Sequence, residues 1–104
     1  MTDTLVPVFA ALGDESRWAI LQILGEGDAS ASALADRLPI SRQAIARHLG
    51  VLQEVGLVTH HRVGREIRYR VLGGTLSATA HRLEDIGTAW EQRLEAIKDI
   101  AEGL

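Results

Sequence analysis

Between Ser30 and Tyr69 the chain reads SASALADRLPISRQAIARHLGVLQEVGLVTHHRVGREIRY, and one junction within it, Leu38-Pro39-Ile40-Ser41, leaves the backbone little choice. Ser30 is placed to start a helix whose inward residues are Leu34, Ala35 and Leu38. Pro39 ends that helix, because its ring fixes φ and pushes the preceding residue out of the helical region. Ser41 follows at once as a side-chain cap for a new helix. So close a restart forces a sharp crossing of the two helices, as a helix-turn-helix requires. In the second of them Ile45, His48, Leu49 and Leu52 fall at i, i+3, i+4 and i+7 and are expected to face the core. Gln43, Ala46, Arg47 and Gly50 then point the other way, with Arg42 on the flank.

Gly56 closes this helix, and the alternation from Leu57 to Val63 and from Glu66 to Val71 predicts two strands joined at Gly64-Arg65. Ile67, Tyr69 and Val71 share one face of the second strand, and Glu66, Arg68 and Arg70 the other. Upstream, Thr4 or Asp3 can cap a first helix running to about Leu12, with Leu5, Val8, Phe9 and Leu12 as its apolar residues, Pro7 tolerated in the first turn and Gly13 placed to stop it. Asp14 caps a second helix, in which Arg17, Ile20, Leu21 and Leu24 follow a 3.6-residue period and which Gly25 or Gly27 ends. The expected fold is mostly α with a β-hairpin: a winged helix-turn-helix of about five helices and a two-stranded wing. The 104 residues suffice for a single domain, 1–104, with one core.

After Gly73-Gly74 the sequence predicts one long helix, about 75–101. Leu76, Leu83, Trp90 and Ile97 recur every seven residues, and Ala80, Gly87, Leu94 and Ala101 form a second series offset by four. Two interleaved series make an a/d seam. It exceeds what the rest of the chain needs for cover, so much of it is expected to meet another subunit, with Ala80 and Gly87 permitting close approach. The alternative is a long helix folded back on its own domain.

The net charge of −3 conceals a strong division along the chain. Residues 1–36 carry −5, residues 37–70 carry +5 from seven Arg against two acids, and residues 71–104 carry −3. A local basic stripe is the electrostatic footprint of phosphate binding, and acidic flanks discourage indiscriminate adhesion to nucleic acid. The plainer reading is a solvated Arg-rich face. With 46% hydrophobic residues and no apolar run near membrane-spanning length, a membrane protein is not expected. The start, MTDTLVPVFAALGDES, lacks the basic region of a secretory signal. There is no Cys, which excludes disulfides, thiolate metal sites and thiol switches and fits a cytoplasmic location.

If the partner is double-stranded DNA, the helix at 41–53 enters the major groove, where only outward side chains reach base edges. Arg42, Gln43 and Arg47 are the candidate readers: Arg can bond guanine bidentately and Gln adenine. Ala46 allows close approach or contact with a thymine methyl, and Ser41 can add a hydroxyl to a phosphate besides its capping role. Arg62, Arg65 and Arg68, on or near the wing at 57–71, are expected against phosphates or a minor groove.

The pieces ALGDESRWAILQIL, LADRLPISRQAIARHLGVLQEVGLV and GREIRYRV together resemble the ArsR/SmtB family of bacterial winged-helix repressors, over the stretch from Phe9 to Ile97. The resemblance implies a homodimer, a recognition helix at Ser41 to Gln53, a wing at Thr59 to Arg70, and dimerisation through the first and last helices, hence through Leu5, Val8, Phe9, Leu12, Leu76, Ala80, Leu83, Gly87, Trp90, Leu94 and Ile97. Gly50 stands where these proteins often carry a basic residue, and Glu15 where they often carry Pro. Some members bind metal through a pattern D-x-H and H-x-x-[DEH] on the last helix. The matching positions here are Thr79, His81, Gln92 and Glu95, so two of four ligands are replaced and no metal site or cofactor is expected. His81 and Glu95 are about 21 Å apart along one helix and could meet only across an antiparallel pair.

The remaining residues suggest little chemistry. Trp18 and Trp90 are expected to pack, although Trp90 beside Gly87 could line a small pocket at the seam, and His60-His61 has only weak metal spacing. No Gly-rich loop with Lys precedes a helix, and no nucleophile–base pairing suggests an enzyme. The chain is expected to be a sequence-specific transcriptional repressor acting as a homodimer on an inverted-repeat operator, with an unidentified small molecule or protein as effector. The rival reading is a winged-helix interaction module that docks an acidic partner on the Arg face.

Overall fold

A computed structural model describes residues 5–103 as α1 (Val6–Leu12), α2 (Glu15–Glu26), β1 (Ala29–Ser30), α3 (Ala31–Arg37), α4 (Arg42–Glu54), β2 (Val58–Val63), β3 (Glu66–Val71) and α5 (Gly73–Glu102). Three helices start on the side-chain caps that the sequence supplies. Asp14 Oδ2 accepts from the Arg17 amide at 2.9 Å, and Ser30 Oγ and Ser41 Oγ accept from the Ala33 and Ala44 amides, each at 3.1 Å. Each bond satisfies one of the donors that a helix start leaves without a partner. In α1, Leu5 occupies the cap position with Pro7 in the first turn. Asp3 and Thr4, the expected caps, lie outside the described residues.

The end of α4 sets where the hairpin begins. Gly56 adopts φ +81°, its amide donates to the Gln53 carbonyl at 3.1 Å, and the Leu57 amide donates to the Leu52 carbonyl at 2.9 Å. This pair of bonds is a Schellman closure, which needs the left-handed conformation that glycine adopts without strain. Leu52 and Leu57, which it brings together, are both fully buried. At the hairpin tip Gly64 has φ +63° while Arg65 stays at negative φ, the pattern of a type II′ turn matched to strand twist.

The sheet has one strand more than the sequence suggested. β1 pairs antiparallel with β3, Ala29 opposite Tyr69 and Ser30 opposite Arg68, so the order is β1-β3-β2. Two residues carry no readable alternation, which is why β1 is invisible in the sequence. Its effect is to fasten the start of α3 to the wing.

Ile20, Leu21, Leu24, Leu34, Ile45, Leu49, Leu52, Leu57 and Val58 form the core, joined by Val8 and Ala11 from α1. Val8, expected at a subunit interface, is instead buried inside its own chain. Leu5, Leu12 and Leu76 are half-buried against the same core. Trp18 was expected to pack; it is 48% exposed on the outer face of α2. His48 reaches only the core's margin, where it meets polar neighbours from α2.

Beyond Thr79, which is buried, α5 leaves the rest of the molecule and its side chains stand in solvent. The long axis of the molecule reaches 69 Å as a result. Leu83, Trp90, Leu94 and Ile97 are exposed, so the helix does not fold back on its own domain. Ile86 and Ile100, at 66% and 69% exposure, flank the expected two rows, with Arg93 between them at the same heptad position. Among the described residues no helix is long and apolar enough to cross a membrane.

Candidate nucleic-acid interface

Because Ile45, Leu49 and Leu52 anchor one side of α4 in the core, its opposite side is fixed by geometry. Arg42, Gln43, Ala46, Arg47 and Gly50 are all exposed there. Ser41, also exposed, is committed to its capping bond. The hairpin stands beside this helix. His60 Nδ1 on β2 lies 2.8 Å from Gln53 Oε1 near the end of α4, a hydrogen bond when Nδ1 carries the proton. The His60 ring is in turn tilted against that of its cross-strand partner Tyr69, with centroids 5.8 Å apart. Gln53, His60 and Tyr69 thus brace the hairpin against α4. The three residues come from three elements, at separations of 7 and 9 residues, and the sequence alone did not single them out: the His60–Tyr69 pair follows from strand register and the Gln53–His60 pair from how α4 packs beside β2.

Ion pairing separates the seven arginines of the basic segment into two groups. Arg37 is paired with Glu26 at 3.1 Å, Arg68 with Glu66 at 3.0 Å and Arg70 with Asp28 at 2.9 Å. Among the described residues no carboxylate lies within 4.0 Å of Arg42, Arg47, Arg62 or Arg65. All four are exposed, Arg42 and Arg47 on α4 and Arg62 and Arg65 on the hairpin. Arg68, expected with the wing arginines, is turned with Glu66 to the strand face that bears Arg70, away from Tyr69 and α4.

The paired group has a structural role. Both Nε and Nη2 of Arg70 donate to Asp28 Oδ2, at 3.1 and 2.9 Å, and His61 Nε2 lies 3.6 Å from the same oxygen. The Arg70 bond holds the Asp28 carboxyl below the usual carboxylate range and raises the Arg70 guanidinium in return. The bridge ties the residue before β1 to β3. Its members are exposed, so it contributes registration more than stability.

Between α4 and the hairpin runs an open cleft of about 350 Å³, with Ser32, Arg42 and Ala46 on one side and Arg65, Glu66, Ile67 and Tyr69 on the other. A neighbouring hollow is lined by Ala46, Gly50, Gln53, Glu54 and Tyr69, so Ala46 and Tyr69 lie where the two meet. The small residues of α4 are therefore the floor of a groove rather than blank positions on a convex surface.

On α5, His81 Nδ1 stands 4.0 Å from Glu84, and both are exposed. Among the described residues no three His, Asp or Glu side chains gather as metal ligands. Trp90 is exposed and carries the Arg93 guanidinium 5.8 Å from its ring centre.

Comparison with known proteins agrees with this geometry. Residues 12–61, which run from the end of α1 through most of β2, match a family described as a helix-turn-helix domain. The arsenical resistance operon repressor of Escherichia coli K12 is 32% identical over 100 residues, covering 95% of this chain and 83% of that protein. A solved ArsR-like transcriptional regulator from Rhodococcus sp. RHA1 is 62% identical and superposes with a TM-score of 0.85, covering 94% of this chain and 92% of the other. The homodimeric winged helix-turn-helix DNA-binding domain from Mycobacterium bovis superposes with a TM-score of 0.67 at 26% identity, covering 89% and 83%. Regulators of this kind bind DNA and dimerise, and they are not enzymes. The chain belongs to the ArsR family of winged helix-turn-helix transcriptional regulators.

Proposed function

We propose that this chain is a transcriptional repressor that acts as a homodimer on an inverted-repeat operator, built as a single winged helix-turn-helix domain over 1–104. One observation carries the reading: within the basic segment 37–70, the four arginines with no carboxylate within 4.0 Å among the described residues, Arg42, Arg47, Arg62 and Arg65, all belong to the exposed side of α4 or to the hairpin. Helix α4 enters the major groove, with Arg42, Gln43 and Arg47 at base edges and Ala46 giving close approach. Arg62 and Arg65 bind the backbone beside it, with Ser41 adding a hydroxyl at the helix start. Arg68 joins them only after releasing Glu66.

The second subunit meets the apolar face of α5 at Leu83, Gly87, Trp90, Leu94 and Ile97, with Leu76 and Ala80 at its inner end. Phe9, Leu5 and Leu12 of α1 flank that contact. The relative from Mycobacterium bovis is a homodimer, and a two-fold pair presents two recognition helices to half-sites about one helical turn apart. Expected location is the cytoplasm, where the DNA is.

The test is a gel-shift titration on duplexes enriched from a random pool by this protein. Arg47→Ala is expected to weaken the selected sequence by at least tenfold, with little effect on unrelated DNA. Unchanged affinity in a folded Arg47→Ala protein would remove α4 from recognition.

A further inference from the structure

The cleft between α4 and the hairpin contains more than the arginines account for. Its walls include Arg42 and Arg65, neither with a carboxylate within 4.0 Å among the described residues. Glu66 also borders it, but its carboxylate accepts from Arg68 Nε at 3.0 Å on the other face of the strand and is thereby compensated. Two hydroxyl-bearing residues, Ser32 at the start of α3 and Tyr69 on β3, add neutral donors. Ala46 and Ile67 supply an apolar lining, and Ile67 is 46% exposed although it lies on the strand face that turns toward α4.

We propose that this cleft seats one phosphodiester of the DNA backbone in each half-site, with Ser32 and Tyr69 as hydroxyl donors to the phosphate and Ile67 against the deoxyribose. The inference rests on the DNA-binding reading and extends it to three residues outside α4 and the hairpin tip. Its physical ground is the path of the strand. When α4 lies in the major groove and the hairpin follows the backbone toward the minor groove, the sugar-phosphate chain that separates the grooves must pass between them. A phosphate there meets two cations and two donors, and the sugar meets the one large apolar side chain that the wing leaves in solvent on this face. The short side chain of Ala46 keeps the cleft open.

Inorganic phosphate shares this chemistry, and the experiment separates it from the polymer. Binding of a random-sequence 30-base-pair duplex, a length of order the footprint of two half-sites, is followed by fluorescence anisotropy across a chloride series. Tyr69→Phe and Ser32→Ala are each expected to weaken binding by roughly three- to tenfold at every salt concentration, as loss of a hydrogen bond does, with the salt slope unchanged. Arg65→Ala is expected to reduce that slope by about one. Wild-type affinity in Tyr69→Phe and Ser32→Ala, alongside a reduced slope in Arg65→Ala, overturns the phosphate seat and leaves the DNA reading standing. A wild-type protein that binds no duplex at low salt overturns both. Replacing chloride by inorganic phosphate at equal ionic strength is expected to change little; strong competition specific to phosphate makes the cleft a free-anion site and overturns the backbone assignment.

Discussion

Nε of Arg17, in α2, donates a 2.7 Å hydrogen bond to the carbonyl of Ala11 near the end of α1. That carbonyl belongs to the last turn of its helix, where no backbone donor follows to satisfy it. The same guanidinium reaches α4, its Nη1 lying 3.4 Å from His48 Nδ1, and the Arg17 amide donates to the capping carboxylate of Asp14. One residue thus registers three helices. Arg17→Leu keeps the stem and removes the bonds; it is expected to lower stability by about 1–2 kcal/mol, read as a lower urea midpoint at unchanged m-value. An unchanged midpoint would mean that water replaces the guanidinium without cost.

The outer half of α5 offers a clean separation of folding from assembly. Leu94→Glu together with Ile97→Glu places charge on side chains that are exposed in one protomer. Helix content and the unfolding of the core are expected to persist, while sedimentation velocity shows a monomer and the protein loses its tight form of DNA binding. Asp85→Ala, on the opposite face of the same helix, serves as the control and is expected to leave the assembly intact. A Leu94→Glu, Ile97→Glu protein that sediments as a dimer would move the interface elsewhere.

Gly50 is an unfilled position in the middle of α4, since a Cβ added there meets nothing within 4 Å. Gly50→Ala is expected to raise stability by about 0.5–1 kcal/mol, the ordinary difference between these residues within a helix. Gly50→Arg adds a cation to the exposed face of the same helix, and duplex affinity is expected to rise at low salt with a steeper salt dependence. Thermal unfolding checks the first variant and a salt series the second.

Acid should weaken the fold through two capped or bridged carboxylates. The Arg17 amide holds the Asp14 carboxyl below its ordinary value, assisted by the Arg17 guanidinium, and Arg70 does the same for Asp28. Because these groups bind protons less readily in the folded state than in the unfolded chain, their contribution is complete above about pH 4 and is lost as pH falls through the lowered folded values. Asp28→Asn removes one of them. Its stability, followed by circular dichroism in urea, is expected to fall below wild type at neutral pH and to approach it in acid. Parallel curves at all pH values would deny the carboxylate its role.

Local rules made most of the architecture readable in advance. Asp14, Ser30 and Ser41 cap the helices they precede, and the Leu38-Pro39-Ile40-Ser41 junction produces the expected break between α3 and α4. The outward set on α4 followed from the inward set, because a helix has a fixed pitch. What escaped notice depends on contacts between distant segments. β1 is too short to show a period, and Asp28 meets Arg70 across 42 residues. Val8 lies in the core rather than free for a second subunit, and Trp18 is exposed rather than packed, because amphipathic patterning tells which side is apolar, not which neighbour covers it. Arg68 and Arg65 are alike in composition, and only the alternation of β3 beside Glu66 separates a paired cation from a free one.

The exposed apolar residues of α5 also bear on how the protein responds to its own abundance. A single protomer must hold Leu83, Ile86, Trp90, Leu94, Ile97 and Ile100 in water, and pairing is the route by which that surface is withdrawn. If only the pair spans both half-sites, then in dilute solution the amount of two-headed protein grows with the square of chain concentration. Operator occupancy then becomes a threshold function of synthesis and dilution. Halving the chain concentration would cut the two-headed protein about fourfold, and the steepness of that response would be set on α5, at the far end of the molecule from α4.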